Sequence, residues 1–101
     1  MLHYSVPLEF EIGDEVALTG TVTSILPSGR AQISIPSYGQ PYSVDPPPKT
    51  HAGDEIVLVG DIIRVDHGAD KLTVRIDCGG IITVRHSAIT RFRRHRRPSS
   101  R

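Results

Sequence analysis

The chain has 101 residues, of which 38% are hydrophobic and 23% are charged, a composition typical of one globular domain or two very small ones. No apolar run approaches the roughly 20 residues that a membrane-spanning helix requires, which excludes such a helix. A single cysteine, Cys78, excludes an internal disulfide framework and a cysteine-rich zinc site.

The formal net charge of +1 conceals a strong asymmetry along the chain. Residues 1–90 contain all eleven acidic residues and six of the twelve basic ones, so they carry a net charge of −5. Residues 91–101 contain six arginines and no acidic residue, a net charge of +6. An acidic body with a basic terminal segment is typical of proteins whose terminus makes an intermolecular contact.

The first predicted element is a strand over residues 2–12. Hydrophobic side chains occupy every even position from Leu2 to Ile12, with Pro7 and polar residues between them, which is the period of two of a half-buried strand. Because Pro7 has no N–H group, we expect this strand to lie at an edge of the sheet or to bulge there.

The following residues contain an internal repeat. Gly-Asp-Glu-Val-Ala-Leu-Thr-Gly-Thr-Val at residues 13–22 aligns with Gly-Asp-Glu-Ile-Val-Leu-Val-Gly-Asp-Ile at residues 53–62, an offset of 40. The next apolar strand matches at an offset of 41 and the third at 40 again. Compensating turn lengths with preserved strand patterns indicate a duplication.

The repeat predicts five segments and no long helix. They are an N-terminal strand (1–12), a first repeat (13–45), a proline-rich linker (46–52), a second repeat (53–90) and an arginine-rich tail (91–101). Within the repeats we expect strands near 15–25, 31–36, 41–45, 55–66, 71–77 and 81–86. Gly20 and Gly60 lie mid-strand before a change of apolar phase, which predicts equivalent bends.

This pattern of Gly-Asp-Glu, a mid-strand glycine, a turn and a short alternating strand resembles small SH3-like β-barrels of the KOW and Tudor types, as found in small bacterial and phage proteins. The resemblance covers residues 13–44 and 53–92 and implies an all-β fold of about seven strands. The chain departs from the KOW pattern because its turns at 27–30 and 66–70 lack a basic RNA-contacting loop. Either each copy closes its own barrel or both share one; forty residues are few for an independent core, which favours a fused core or a dimer.

The second copy is apolar on both faces of its first strand. Val57, Val59 and Ile63 occupy positions where the first copy has Ala17, Thr19 and Thr23. One interpretation is that the second copy forms a central layer, covered by the first copy or by the N-terminal strand. The other is that these three residues form an interface with another chain or with a second copy of this protein.

The carboxyl-terminal segment carries the strongest functional signal. Its six arginines are suited to bind phosphate oxygens, and we expect Ile89 and Phe92 to anchor the segment to the core before the chain departs. The alternatives are that the segment pairs with an acidic protein or with the chain's own body, or that it has no specific role. The candidate nucleic-acid contacts are Arg91, Arg93, Arg94, Arg96, Arg97 and Arg101.

The sequence contains no motif for catalysis, phosphate loops or metal binding, so we expect no enzymatic activity, no cofactor and no metal. The favoured hypothesis is a binding module that contacts nucleic acid without sequence specificity, in the cytoplasm or, if phage-encoded, in the virion. The main alternative is a structural or assembly subunit that uses the apolar strands of the second repeat as its interface. A weaker alternative is an inhibitor whose acidic body mimics nucleic acid.

Overall fold

The computed structural model describes residues 10–94, which form an antiparallel sheet that curls into a half-barrel. Among these residues the only helical element is a single 3-10 turn, His86–Ala88. The strands are β1 (Glu15–Ile25), β2 (Ala31–Ser34), β3 (Ser43–Val44), β4 (Glu55–Asp66), β5 (Lys71–Ile76), β6 (Ile81–Arg85) and β7 (Ile89–Arg93). The prediction of an all-β fold without a long helix is confirmed.

The strand order is palindromic with respect to the two halves of the chain. The sheet runs β3-β2-β1-β4-β5-β6, so that exchange of the halves reproduces the same order. Its centre is the antiparallel ladder between β1 and β4, in which Leu18 pairs with Leu58, its counterpart at the offset of 40. The two halves are therefore three-stranded meanders related by a local twofold axis through that pair.

The turns that lead into β1 and β4 match in detail. Gly13 and Gly53 have φ angles of 97° and 96°, a region that favours glycine. The following aspartates accept a hydrogen bond from the third residue back, Asp14 Oδ2 from Glu11 N and Asp54 Oδ2 from His51 N, both at 2.9 Å. The Gly-Asp pairs thus form tight turns, as their position before a strand predicts.

Two bulges occupy equivalent places, shortly after Gly20 and Gly60. The register of β1 with β2 shifts between Val22 and Ser24, and that of β4 with β5 shifts between Ile62 and Arg64, 40 residues later. These bulges account for the change of apolar phase seen in the sequence, because an extra residue reverses which side chains face inward.

One hydrophobic core serves both halves. Buried side chains of every strand from β1 to β6 belong to a single cluster centred on Leu18, Ile62, Leu72 and Ile82. The far ends of the curled sheet meet, since Tyr42 Oη donates a hydrogen bond to the Gly79 carbonyl at 2.5 Å. The core is therefore fused, as the short length of each copy predicts.

The carboxyl-terminal segment departs from the prediction. The sequence predicts no strand after residues 81–86 and an arginine-rich tail at 91–101, but Ile89–Arg93 forms β7 and pairs with Glu15–Leu18 of β1. Phe92 packs edge-on against buried Phe10, with ring centroids 5.2 Å apart. The anchoring role predicted for Ile89 and Phe92 is confirmed, and it draws the arginines between and after them into the sheet.

Several predicted strands are shorter in the structure. The strand expected at 41–45 consists only of Ser43–Val44, because prolines at 41 and 46 lack the N–H groups that a ladder needs. The strand expected at 31–36 ends at Ser34. Of the N-terminal strand predicted over 2–12, residues 1–9 lie outside the described residues, and residues 10–12 are not in a strand.

Candidate functional site

Strand β7 places Arg91 and Arg93, two of the six arginines predicted to contact nucleic acid, on the outer face of the sheet. Arg91 is the cross-strand partner of Ala17, and Arg93 is that of Glu15. Thr90 Oγ1 also donates a hydrogen bond to the Ala17 carbonyl at 3.2 Å. Since Phe92 points towards the core, its two arginine neighbours point away from it.

Two of the arginines contact acidic residues of the body. Arg93 Nε lies 3.5 Å from Glu15 Oε1, and Arg94 Nη1 lies 3.4 Å from Glu11 Oε2. Arg94 also covers the Phe92 ring, with its guanidinium carbon 5.4 Å from the centroid. Both ion pairs are largely exposed, and exposed pairs of this kind contribute at most about 1 kcal/mol. A polyanion of higher charge density is able to compete for these guanidinium groups.

Arg91 has a different environment. It is exposed, and within residues 10–94 no carboxylate lies close enough to form an ion pair with it. It borders a shallow cavity of about 350 Å³ whose lining includes Ala17, Val59 and Arg93. The cavity lies on the face formed by β7, β1 and β4, and its lining combines small apolar residues with two arginines. Arg96, Arg97 and Arg101 lie outside the described residues.

The candidate apolar interface residues lie on β4 but are not equivalent to one another. Val57 is 63% exposed, whereas Val59 and Ile63 are half-buried. Ile63 occupies the bulge, while Val57 and Val59 point outward from the sheet. Within residues 10–94 no layer covers Val57, so the first copy does not cover it; the N-terminal strand, the other cover considered, falls mostly outside the described residues.

Beside Val57 the sheet has an open edge that was not predicted from the sequence. Even-numbered residues form the hydrogen bonds between β1 and β4, as Ile62 N to Asp14 O and Val22 N to Asp54 O show, so odd residues direct their backbone groups away. On β1 that outer edge is filled by β7. On β4 the equivalent edge, residues 55–58, has no partner strand among residues 10–94. Recognising β7 as a strand would have revealed this asymmetry.

The remaining polar clusters serve structure. Tyr42 Oη lies 4.0 Å from Cys78 Sγ, and partial burial, followed by the influence of Cys78, raises the pKa of Tyr42 well above its usual value. Tyr42 therefore stays protonated and donates its hydrogen bond to Gly79 at ordinary pH.

No group of three or more histidine, cysteine or acidic side chains within residues 10–94 is placed to hold a metal ion. None of the helical residues described is part of a helix long and apolar enough to cross a membrane.

Comparison of the chain with protein-family models, with curated proteins and with solved structures finds no match. Its function is therefore inferred from the surfaces described above.

Proposed function

We propose that this protein is a non-enzymatic β module that binds nucleic acid through its carboxyl-terminal arginines without reading base sequence. The observation that carries the proposal is the placement of Arg91 and Arg93 on the outer face of β7, at the start of a segment with six arginines and no acidic residue. Guanidinium groups bind phosphate oxygens through paired hydrogen bonds and remain charged at any relevant pH.

The sheet contributes by fixing the position where this segment begins. Residues held by backbone pairing lose less conformational entropy on binding than residues of a free terminus. The ion pairs of Arg93 with Glu15 and of Arg94 with Glu11 are exchanged for phosphate contacts. That exchange, together with the net charge of −5 on residues 1–90, keeps the affinity modest and strongly dependent on salt.

The test is fluorescence anisotropy of the full chain with two labelled 20-base-pair DNA duplexes of unrelated sequence, between 25 and 200 mM NaCl. We expect equal affinities for the two duplexes and a linear fall of log K with log salt. The variant Arg96→Gln/Arg97→Gln/Arg101→Gln should flatten this slope by about 0.9 for each phosphate contact that it removes. Lys49→Gln, a charge change in the exposed linker, is the control and should leave the slope unchanged.

The proposal fails if the full chain shows no salt-dependent binding at 25 mM NaCl, or if the triple variant binds as the wild type does. Clear preference for one duplex would refute the absence of base readout, because a chain that contacts only phosphates carries no sequence information.

A second candidate function is that of an assembly subunit, and the open edge of β4 favours it. Exposed Val57 lies on this unpaired edge, where another chain is able to add a strand by backbone hydrogen bonds. Light-scattering mass at micromolar concentration tests the idea. Val57→Lys should convert an oligomer to a monomer, whereas Ile81→Lys, at a side chain of similar exposure on β6, should not. A wild-type chain that is monomeric, alone and with nucleic acid, excludes self-assembly.

A further inference from the structure

The second meander consists of β4, β5 and β6. On its outer face the pairing of these strands brings three cationic residues close together. Lys71 on β5 is the direct cross-strand partner of Arg85 on β6, and Arg64 on β4 is that of Thr73. Direct cross-strand partners have Cβ atoms about 5 Å apart. Leu72 and Val84, the neighbours of Lys71 and Arg85, are buried, so the two cationic side chains point outward. We call Arg64, Lys71 and Arg85 the basic face.

None of the three cations forms an ion pair within the described part of the protein, although Asp66 adds one negative charge beside Lys71. Among residues 10–94 no carboxylate lies within ion-pair distance of them. Asp66 stands opposite Lys71 in the register, but its Oδ1 accepts a hydrogen bond from Ala69 N at 3.2 Å in the turn. By contrast, nearby Arg75 is paired with Asp61 at 2.9 Å.

The first meander provides an internal comparison for this face. Its residues equivalent to Lys71 and Arg85 are Arg30 and Asp45, which form an ion pair of 3.2 Å between Nη1 and Oδ1. The same position of the same fold therefore holds opposite charges in one half and like charges in the other. Like charges directly opposite each other destabilise a sheet. Folding does not require the arrangement in the second half, since the first half folds with the complementary one.

The chemistry between the cations also suits an anion. Thr73 and Thr83 lie side by side at the centre of the face, with their hydroxyl oxygens 3.0 Å apart. Because the two hydroxyls form a hydrogen bond with each other, one proton is used between them and the other remains for an acceptor-rich ligand. The three cations and two threonines include no aromatic or large apolar anchor of the kind that forms the centre of protein–protein interfaces; Ile81, exposed on the same side of the sheet, lies at the opposite end of β6 from Arg85. A polar, cationic surface without such an anchor is instead typical of contacts with nucleic acid.

We propose that the basic face binds the phosphodiester backbone of the same nucleic acid that the carboxyl-terminal arginines contact. The arginines contact its end or phosphates that neighbour those held by the basic face. The inference rests on the proposed function, because it assigns a second contact surface for the same ligand. The two surfaces lie on separate parts of the curled sheet, with the acidic Glu15 and Asp61 of β1 and β4 between them. Binding at both would fix the orientation of the module on the strand that it contacts.

The decisive variant is Arg85→Asp in the full chain, because it gives the second meander the charge arrangement of the first. It places a carboxylate opposite Lys71, as Asp45 stands opposite Arg30, so the melting temperature should stay the same or rise. Binding to the 20-base-pair duplex at 50 mM NaCl should weaken at least fivefold, and the slope of log K against log salt should fall by about 1.

Lys49→Asp is the matched control. It makes the same change of net charge on the exposed linker, and its φ of 67° is a conformation that aspartate tolerates. We expect it to weaken binding less than twofold. Equal losses of affinity in Arg85→Asp and Lys49→Asp would overturn the inference, because the change of net charge alone would then explain the weaker binding. If Arg85→Asp fails to fold, Arg64→Gln/Lys71→Gln provides the same comparison, and Lys49→Asp, which changes the net charge by the same amount, remains its control.

Failure of this inference is distinguishable from failure of the proposed function. If Arg85→Asp binds as the control does while the triple arginine variant loses affinity, the basic face is not a contact and the terminal segment is. If Arg85→Asp loses affinity while the triple variant does not, the basic face is a contact and the function assigned to the terminal segment is refuted. If the wild type does not bind the duplex at all, both are refuted.

Discussion

Gly60 offers the sharpest test of the fold, because its counterpart Gly20 is a matched control in the same chain. A Cβ atom built at Gly60 would lie 2.3 Å from the Arg75 carbonyl oxygen, a backbone atom of the neighbouring strand. A Cβ atom at Gly20 would also meet an atom at 2.3 Å, but that atom is Cγ2 of the Ile33 side chain. Equal distances therefore predict unequal costs, because only the contact at Gly60 displaces the backbone of a paired strand, in addition to overpacking the site.

The expected magnitudes follow from what has to move. For Gly60→Ala, β5 must retreat by about 1 Å to reach ordinary contact, which weakens the ladder around the Gly60–Ile76 pair. Overpacking costs about 1–3 kcal/mol and a weakened hydrogen bond about 1 kcal/mol more, so we expect a loss of about 3 kcal/mol. For Gly20→Ala, Cγ2 of buried, β-branched Ile33 must give way, and this overpacking costs about 2 kcal/mol without weakening a ladder hydrogen bond. The entropic gain of replacing glycine is common to both and cancels.

Urea denaturation followed by circular dichroism measures both variants. We expect midpoints in the order wild type, Gly20→Ala, Gly60→Ala, with an unchanged dependence on urea. Thermal midpoints should follow the same order, by about 4–8 °C for each kcal/mol. Equal losses in the two variants, or a smaller loss for Gly60→Ala, would show that β4 and β5 do not approach each other as described.

Two further predictions concern Tyr42, whose hydrogen bond joins the two ends of the sheet, and buried His86 Nε2. Tyr42→Phe removes the hydrogen bond to Gly79 and should cost about 1 kcal/mol at pH 7. Because folding raises the pKa of Tyr42, this stabilisation is complete below about pH 10 and is lost as pH rises further. The free energies of unfolding of the two proteins, measured with urea, should therefore converge above about pH 10. A difference that stays constant with pH would refute the role given to the Tyr42 hydroxyl. His86 Nε2 is buried without a hydrogen-bond partner among the described residues, and its ring contacts Phe10 edge-on at 5.0 Å. His86→Phe keeps the ring contact and should leave the melting temperature unchanged or raise it, whereas a clear fall would indicate a polar partner for Nε2.

Much of the fold could be predicted from the sequence because its signals are local. Alternating apolar residues define the strands, and the Gly-Asp turns and mid-strand glycines mark where each copy starts and bends. The offset between the copies even anticipates the bulges, since a change of apolar phase after Gly20 and Gly60 requires an extra residue in each strand. Such features depend on a few neighbouring residues and are visible without knowledge of the tertiary structure.

The carboxyl-terminal strand could not be predicted in this way. Ile89–Arg93 contains only two large apolar residues, and its composition resembles that of the arginine-rich segment that follows. It forms a strand because β1 has a free edge and because Phe92 finds Phe10, which is 82 residues away in the chain. Contacts over such a distance are decided by packing and leave no periodic signal in a segment of five residues.

The basic face was missed for a different reason: its residues are unremarkable one at a time. Arg64, Lys71 and Arg85 are separated in sequence, and only the register of β4, β5 and β6 shows that they share a face. Alignment of the copies held part of this information, because Arg30 and Asp45 correspond to Lys71 and Arg85. The change from an opposite-charge pair to a like-charge pair becomes meaningful only when the two positions are known to be cross-strand partners.

The duplication separates the features that the fold needs from those that it does not need. Both copies keep the Gly-Asp turn, the mid-strand glycine and the bulge, which are needed wherever the sheet must bend. They differ at the edge, where β7 covers β1 but no described strand covers the equivalent part of β4. They also differ on the outer face, where an ion pair in the first copy is replaced by two cations in the second. Differences at equivalent positions show which side chains the shared strand arrangement does not require. Such positions on the second meander are therefore the first place to look for contacts with a ligand.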